Sequence, residues 1–174
     1  VLDELPRPDR TWWAAFEVAD TRKRTVNVGE AKLVGYAGGW INDGQVQLLK
    51  VASDPAYRRQ GIAQELLARI ALDARDLGAK EMTLEVRASN TGAHAFYERL
   101  GLKNIGIRPR YYSDGENACI YEGPLPLSEH DVAGMELRLN AAAAHAGEAA
   151  GDCVPLEGKL ILAIDCLLYT SPSP

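Results

Sequence analysis

The 174-residue chain reads as an α/β protein built on a mixed sheet. Three observations lead there. Three apolar, strand-like runs precede the first helical period. A strand–helix–strand–helix segment follows, and two more strands close the pattern. The strand–helix–strand connection requires a parallel pair with a right-handed crossover, while the hairpins add antiparallel strands on the flank. Helices then pack on the sheet.

The first strand is Trp12 to Val18, apolar and aromatic. Thr21 to Glu30, polar and basic, reads as a hairpin loop. Leu33 to Ile41 is the second strand, and Asn42-Asp43-Gly44 is a strong turn signal after it. In Gln45 to Ala52 the apolar parity slips: Val46 and Leu48 share one face, then Leu49 and Val51 take over. A one-residue slip is what a β-bulge near Leu48-Leu49 produces. A strand buried on both faces also fits, because parity then carries no meaning.

Ser53-Asp54-Pro55 ends this strand. Gly61 to Leu77 is a helix with Ile62, Leu66, Ile70, Ala74 and Leu77 on one stripe. Glu65 precedes Arg69 by one helical turn, the favourable ion-pair order, and Gly78 stops the helix. Glu81 to Ala88 alternates, with Met82, Leu84 and Val86 on one face and Thr83, Glu85 and Arg87 on the other. Ser89 or Asn90 caps a second helix whose stripe is Ala93, Phe96, Tyr97 and Leu100, ended by Gly101. Strands Lys103 to Ile107 and Ala118 to Glu122 are joined by the arginine- and tyrosine-rich loop Arg108 to Asn117. Residues 126–157 are alanine-rich with few large apolar side chains and read as a linker. Lys159 to Asp165 is one more short strand.

Composition bounds the function. With 47% hydrophobic and 25% charged residues the chain is neither collagen-like nor wholly disordered. A fold of this size buries about 70% of its unfolded surface, so a core forms without disulfides or metal. No apolar run approaches the roughly 18 residues of a membrane span. Nineteen basic against 24 acidic residues give a net charge of −5, a poor match to nucleic acid. Three cysteines, Cys119, Cys153 and Cys166, lack metal-ligand spacing and read as free thiols of a reducing compartment. No signal peptide opens the chain, and a cytoplasmic protein without metal is expected. The first residue is Val1, so the chain reads as a fragment or a processed product.

Arg58-Arg59-Gln60-Gly61-Ile62-Ala63 lies between a strand end and a helix start. A helix N-terminus offers free N–H groups and a positive dipole end to an anion such as phosphate. A solvated basic turn before an ordinary helix is the plainer alternative. The glycine pattern matches neither a P-loop nor a dinucleotide fingerprint. Glu85 falls on the polar face of its strand. Between helices such a face suggests a cleft, where a carboxylate takes a proton directly or through water; an exposed edge carboxylate fits the pattern equally. Periodicity alone makes Tyr97 a core residue whose hydroxyl needs a partner.

Strand, Arg-x-x-Gly-x-Ala, helix, strand and second helix resemble the acyl-CoA-binding core of the GCN5-related N-acetyltransferases (GNAT). Leu84-Glu-Val-Arg-Ala-Ser-Asn90, Phe96-Tyr-Glu-Arg-Leu-Gly101 and Arg110-Tyr-Tyr-Ser-Asp-Gly-Glu116 together resemble the ribosomal-protein-alanine N-acetyltransferases of that superfamily, the RimI family. The resemblance runs from about Trp12 to Leu125. It implies acetyl-CoA as co-substrate and a ribosomal protein's N-terminal alanine as acceptor. Glu85 then matches the general base and Tyr97 the general acid. Asn90 matches a residue that binds the pantetheine arm, and Val51, Ala52 and Ser53 the strand backbone that pairs with its amides. Arg58, Arg59, Gln60, Gly61, Ile62, Ala63 and Gln64 match the pyrophosphate loop. Arg108, Arg110, Tyr111 and Tyr112 resemble the acceptor-side loop, where an exposed hairpin end is the alternative. Ala63 replaces a common glycine, Leu102 a phenylalanine, and Asn117 an aspartate. A small-molecule amine acetyltransferase and a non-catalytic acyl-CoA-binding module are the competing functions.

The resemblance also implies a strand and two helices before Trp12, so residues 1–125 read as an N-terminally truncated domain with an incomplete acceptor wall. Lys159-Leu-Ile-Leu-Ala-Ile-Asp165 resembles the first strand of the TsaD family, which serves tRNA threonylcarbamoyl-adenosine synthesis. On that resemblance residues 158–165 begin a fused TsaD-like partner domain, with an unrelated strand as the alternative. Residues 166–174 read as a non-native tail.

Overall fold

The computed structural model describes residues 9–17, 31–125, 127, 153–156 and 159–163. Expectations for residues 1–8, for the loop Thr21 to Glu30, for most of the linker at 126–157 and for residues 164–174 lie outside these. The strands are β1 (Arg10–Glu17), β2 (Lys32–Asn42), β3 (Gln45–Ser53), β4 (Glu81–Arg87), β5 (Lys103–Arg108), β6 (Ala118–Pro124), β7 (Cys153–Leu156) and β8 (Lys159–Ala163); the helices are α1 (Ile62–Asp76) and α2 (Thr91–Arg99). The eight described strands form one mixed sheet in the order β5-β6-β4-β3-β2-β1-β8-β7. The β3–β4 pair, bridged by α1, is parallel; its neighbours β2 and β6 run antiparallel to it.

Trp12, Trp13, Ala14, Ala15 and Phe16 of β1 are all buried, because β1 lies between β2 and β8 inside the sheet. That explains an apolar run without alternation. Gly38 on β2 makes room for Trp12: a Cβ there would sit 2.3 Å from the indole ring. β4 alternates as its sequence demands, with Met82, Leu84 and Val86 buried. α1 packs Ile62, Leu66, Ile70 and Ala74 onto β1, β2 and β3. Leu77 departs from the expected stripe. It is the C-cap rather than a helical residue and is 63% exposed, since the chain turns away at Gly78.

The Glu65–Arg69 pair, expected from its spacing, is buried. Arg69 Nη2 donates to Glu65 Oε1 at 3.0 Å, and the guanidinium lies over the Trp13 ring. Beside it Asp73 Oδ2 accepts hydrogen bonds from Trp13 Nε1, at 2.7 Å, and from Thr11 Oγ1, tying α1 to β1.

The last two described strands are one the sequence reads and one it does not. Lys159–Ala163 is a strand, and it pairs antiparallel with β1 in this same sheet. Cys153–Leu156 pairs with it, although this stretch falls in the expected linker. Its four residues are too few to stand out from a polar, alanine-rich surround. No helix among the described residues is long and apolar enough to cross a membrane.

Candidate active site

The parity slip in β3 is a bulge. Gly38 faces Lys50 and the next residue, Gly39, faces Leu48, so Leu49 is the extra residue. The parallel ladder between β3 and β4 runs from Gln45 opposite Glu81 to Leu48 opposite Leu84 and stops there. Beyond that point β3 stays with β2 and β4 stays with β6. The strands separate, and a cleft of about 1420 Å³ opens between them. The edge of β3 from Lys50 to Ser53 that faces this gap carries no strand partner among the described residues, so its backbone groups can bind an extended ligand as an added strand.

One end of the cleft is the start of α1. Arg58, Arg59, Gly61, Ala63 and Gln64 line it. Gly61 is the N-cap with φ 80° and no side-chain cap hydrogen bond, and a Cβ there would meet nothing within 4 Å. The first-turn N–H groups thus face an open, positively charged approach that suits a phosphate. Two residues of this loop behave differently from expectation. Ile62 turns its side chain into the core at 1% exposure, leaving only its backbone for a ligand. Gln60 is exposed and does not line the cleft.

Glu85 lines the β4 wall, with its side chain 11% exposed. Each carboxylate oxygen has a donor: Arg108 Nη1 lies 3.1 Å from Oε1, and Gln47 Nε2 donates to Oε2 at 3.3 Å. Tyr97 lines the α2 wall and is 5% exposed. Its ring packs against Phe96 and Tyr121, and its hydroxyl has no hydrogen-bond partner among the described residues. Burial, with a smaller push from the Tyr112 phenol, raises the Tyr97 hydroxyl to about 12, so it carries its proton throughout the neutral range. Asn90 caps α2 through Oδ1, which accepts from Ala93 N at 3.1 Å, and it also lines the cleft.

The loop after β5 is braced from β4. Arg87 Nη1 donates to Asp114 at 2.7 Å and to Glu116 at 2.6 Å, and its guanidinium stacks 4.0 Å from the Tyr112 ring. Glu116 accepts Ser89 N as well, and Asn117 accepts Arg110 N. Of the four residues expected on the acceptor side, Tyr112 alone lines the cleft. Arg108 points to Glu85 instead, Arg110 is exposed, and Tyr111 is 44% exposed against Arg108.

Sequence reasoning missed three participants. Gln47 precedes the bulge and looks like a solvent-facing strand residue. Arg87 shares Glu85's face but braces a loop. His94 sits off the apolar stripe of α2. Its Nε2 faces the carbonyl oxygens of Arg87 and Ala88 at 3.1 and 3.2 Å, which requires a proton on that nitrogen. Its Nδ1 lies 2.9 Å from the Tyr121 hydroxyl, which donates to Glu98. His94 therefore pins α2, and Tyr97 with it, to the end of β4. The helical spacing from His94 to Glu98 was the one available signal.

A carboxylate and a protonated phenol thus both line a cleft that has an anion-suited end and an open strand edge. Such a pair can take a proton from one group and return one to another. The Acetyltransferase (GNAT) family model matches residues 2–102. A Bacillus subtilis (strain 168) relative is 36% identical over 92 residues, 52% of this chain and 61% of its own length. The [ribosomal protein bS18]-alanine N-acetyltransferase of Escherichia coli (strain K12) is 36% identical over 99 residues, 55% of this chain and 67% of that protein. The crystal structure of the ribosomal-protein-S18-alanine N-acetyltransferase from Escherichia coli superposes with a TM-score of 0.50, covering 60% of this chain and 67% of that one. The chain therefore spans about two thirds or less of the length of these relatives. On its own fold and the family match, the chain belongs to the GNAT acetyltransferase family.

Proposed function

We propose that the chain transfers the acetyl group of acetyl-CoA to the N-terminal alanine amine of a protein, a small-subunit ribosomal protein. The observation that carries this reading is the splay of β3 from β4, with Glu85 and Tyr97 both lining the gap. The relationship to the Escherichia coli enzyme supports the acceptor.

Each residue then has a task set by its surroundings. The unpaired edge at Val51, Ala52 and Ser53 aligns the pantetheine amides as an extra strand. Asn90 contributes its side-chain amide to the same arm. Arg58, Arg59 and the amides of Gly61 to Gln64 hold the pyrophosphate. Glu85 takes a proton from the acceptor ammonium, directly or through one water. The freed amine attacks the thioester carbonyl carbon. The C–N bond forms, the C–S bond breaks, and Tyr97 gives its hydroxyl proton to the departing thiolate. A phenol raised to about 12 holds its proton until the thiolate forms, and the phenolate left behind, the stronger base, recovers a proton from solvent.

The test is acetylation of a peptide beginning with alanine, followed by mass spectrometry, with CoA binding measured in parallel. Glu85→Gln and Tyr97→Phe should each cut turnover by about 10²–10⁴-fold while CoA still binds. If both variants match the parent, the assigned roles fail. If no form transfers while CoA still binds, the chain is a binding module. Preference for a free amine over the peptide would point to small-molecule acceptors.

A further inference from the structure

We propose that Arg108 is a stand-in for the acceptor ammonium: it neutralises Glu85 in the empty cleft and swings aside when the acceptor enters. This rests on the proposed role of Glu85 as base.

Glu85 is nearly buried, and a carboxylate so placed needs a counter-charge. Arg108 supplies it, with Nη1 3.1 Å from Oε1. The second oxygen is engaged by Gln47. Each oxygen thus has one donor and room for another, so what opposes an incoming ammonium is charge: beside Arg108 it would be a second cation on the carboxylate. Gln47 is neutral, so replacing it would place two cations on one carboxylate. Replacing Arg108 exchanges one cation for another and leaves the charge in the cleft unchanged.

Arg108 is free to make that exchange. It is the last residue of β5, and its side chain is 51% exposed. The Tyr111 ring borders it already, 5.3 Å from guanidinium carbon to centroid, and offers a seat that survives loss of the Glu85 contact. That ring is itself exposed and can hold a cation on its face. The exchange also sets selectivity, because a neutral acceptor cannot replace the charge that leaves.

Isothermal titration of an alanine-starting peptide into the CoA-saturated protein tests this, with acetylation assayed on the same samples. Arg108→Leu should tighten peptide binding roughly two- to fivefold, the scale of a half-exposed ion pair. Arg108→Lys should stay near the parent, and Tyr111→Ala should weaken peptide binding by removing the second seat. CoA affinity should not move in any variant. Weaker or unchanged peptide binding by Arg108→Leu would overturn the exchange; weaker binding would make Arg108 a direct acceptor contact. If the affinities shift as stated but nothing is acetylated, the exchange stands and the catalytic reading falls. If acetylation proceeds without the shifts, the reverse holds. Absence of peptide binding in every form overturns both.

Discussion

Leu48 and Leu84 are the last residues that β3 and β4 share in parallel register, and the next residue along each strand belongs to the cleft. Leu49 is the bulge and Glu85 is the candidate base. The boundary between packed sheet and reactive gap is therefore one peptide wide. Core packing on one side of it fixes the position of chemistry on the other.

Tyr97 lends itself to a stability-neutral test. Its hydroxyl has no hydrogen-bond partner among the described residues, so Tyr97→Phe breaks no such bond. Thermal melting of Tyr97→Phe should stay within about 1 kcal/mol of the parent. Because burial holds the hydroxyl near 12, no limb of the pH–rate profile below pH about 10 should belong to it. A parent limb near neutral pH that vanishes in Tyr97→Phe would contradict this.

Asp73 separates charge from hydrogen bonding. Burial raises its carboxyl above the ordinary value, against the opposing pull of its bonds to Thr11 and Trp13. A folded-state value above the unfolded one means stability fully present below the unfolded value and lost as pH rises through the folded one. At pH 7 the ionised group is thus a cost. Asp73→Asn keeps an acceptor oxygen for Trp13 Nε1 and should be neutral or stabilising at pH 7. Asp73→Ala leaves two donors unpaired and should destabilise by about 1–3 kcal/mol. Urea unfolding of both variants at pH 7 and pH 4 checks the order; equal losses would refute it.

Arg87 should govern the loop after β5. Its bonds hold the Asp114 and Glu116 carboxyls below the ordinary range, after a backbone N–H for Asp114 and Ser89 for Glu116. Lowered folded-state values mean stability present above the unfolded values and lost as pH falls through the folded ones. Amide protection across residues 110–117, relative to the intrinsic exchange rate at each pH, should therefore fall below about pH 4. Arg87→Leu should produce the same loss of protection at pH 7. It should also raise the peptide KM more than it lowers kcat, because Tyr112 loses its brace.

Gly38→Ala places a methyl 2.3 Å from the Trp12 ring, in a sheet buried on both faces there. A loss of about 1–3 kcal/mol or more is expected by chemical denaturation. Gly115→Ala, where the Cβ would meet nothing within 4 Å, should act only through its backbone at φ 83°.

Much of this site is local and therefore readable from the chain alone. Alternation over Met82 to Arg87 puts Glu85 on the open face, and a slip of parity places the bulge within one residue of Leu49. Asn90 follows from capping chemistry. What escapes is pairing between segments. Nothing near Arg108 announces that its guanidinium reaches Glu85, nor near Gln47 that its amide does the same. His94 gives no local sign of the two carbonyls it meets. The strand at Cys153 to Leu156 is visible only once its partner is placed.

The bulge at Leu49 makes the cleft an arithmetic property of the chain. Strand side chains repeat every two residues, so one surplus residue reverses which face is core and turns the strand away from its parallel neighbour. Deleting Leu49 would restore a single parity along β3 and let its ladder with β4 run on past Leu84. A single codon thus separates a slotted sheet from a sealed one, and amide exchange protection at Val51 to Ser53 in such a deletion would report the closure.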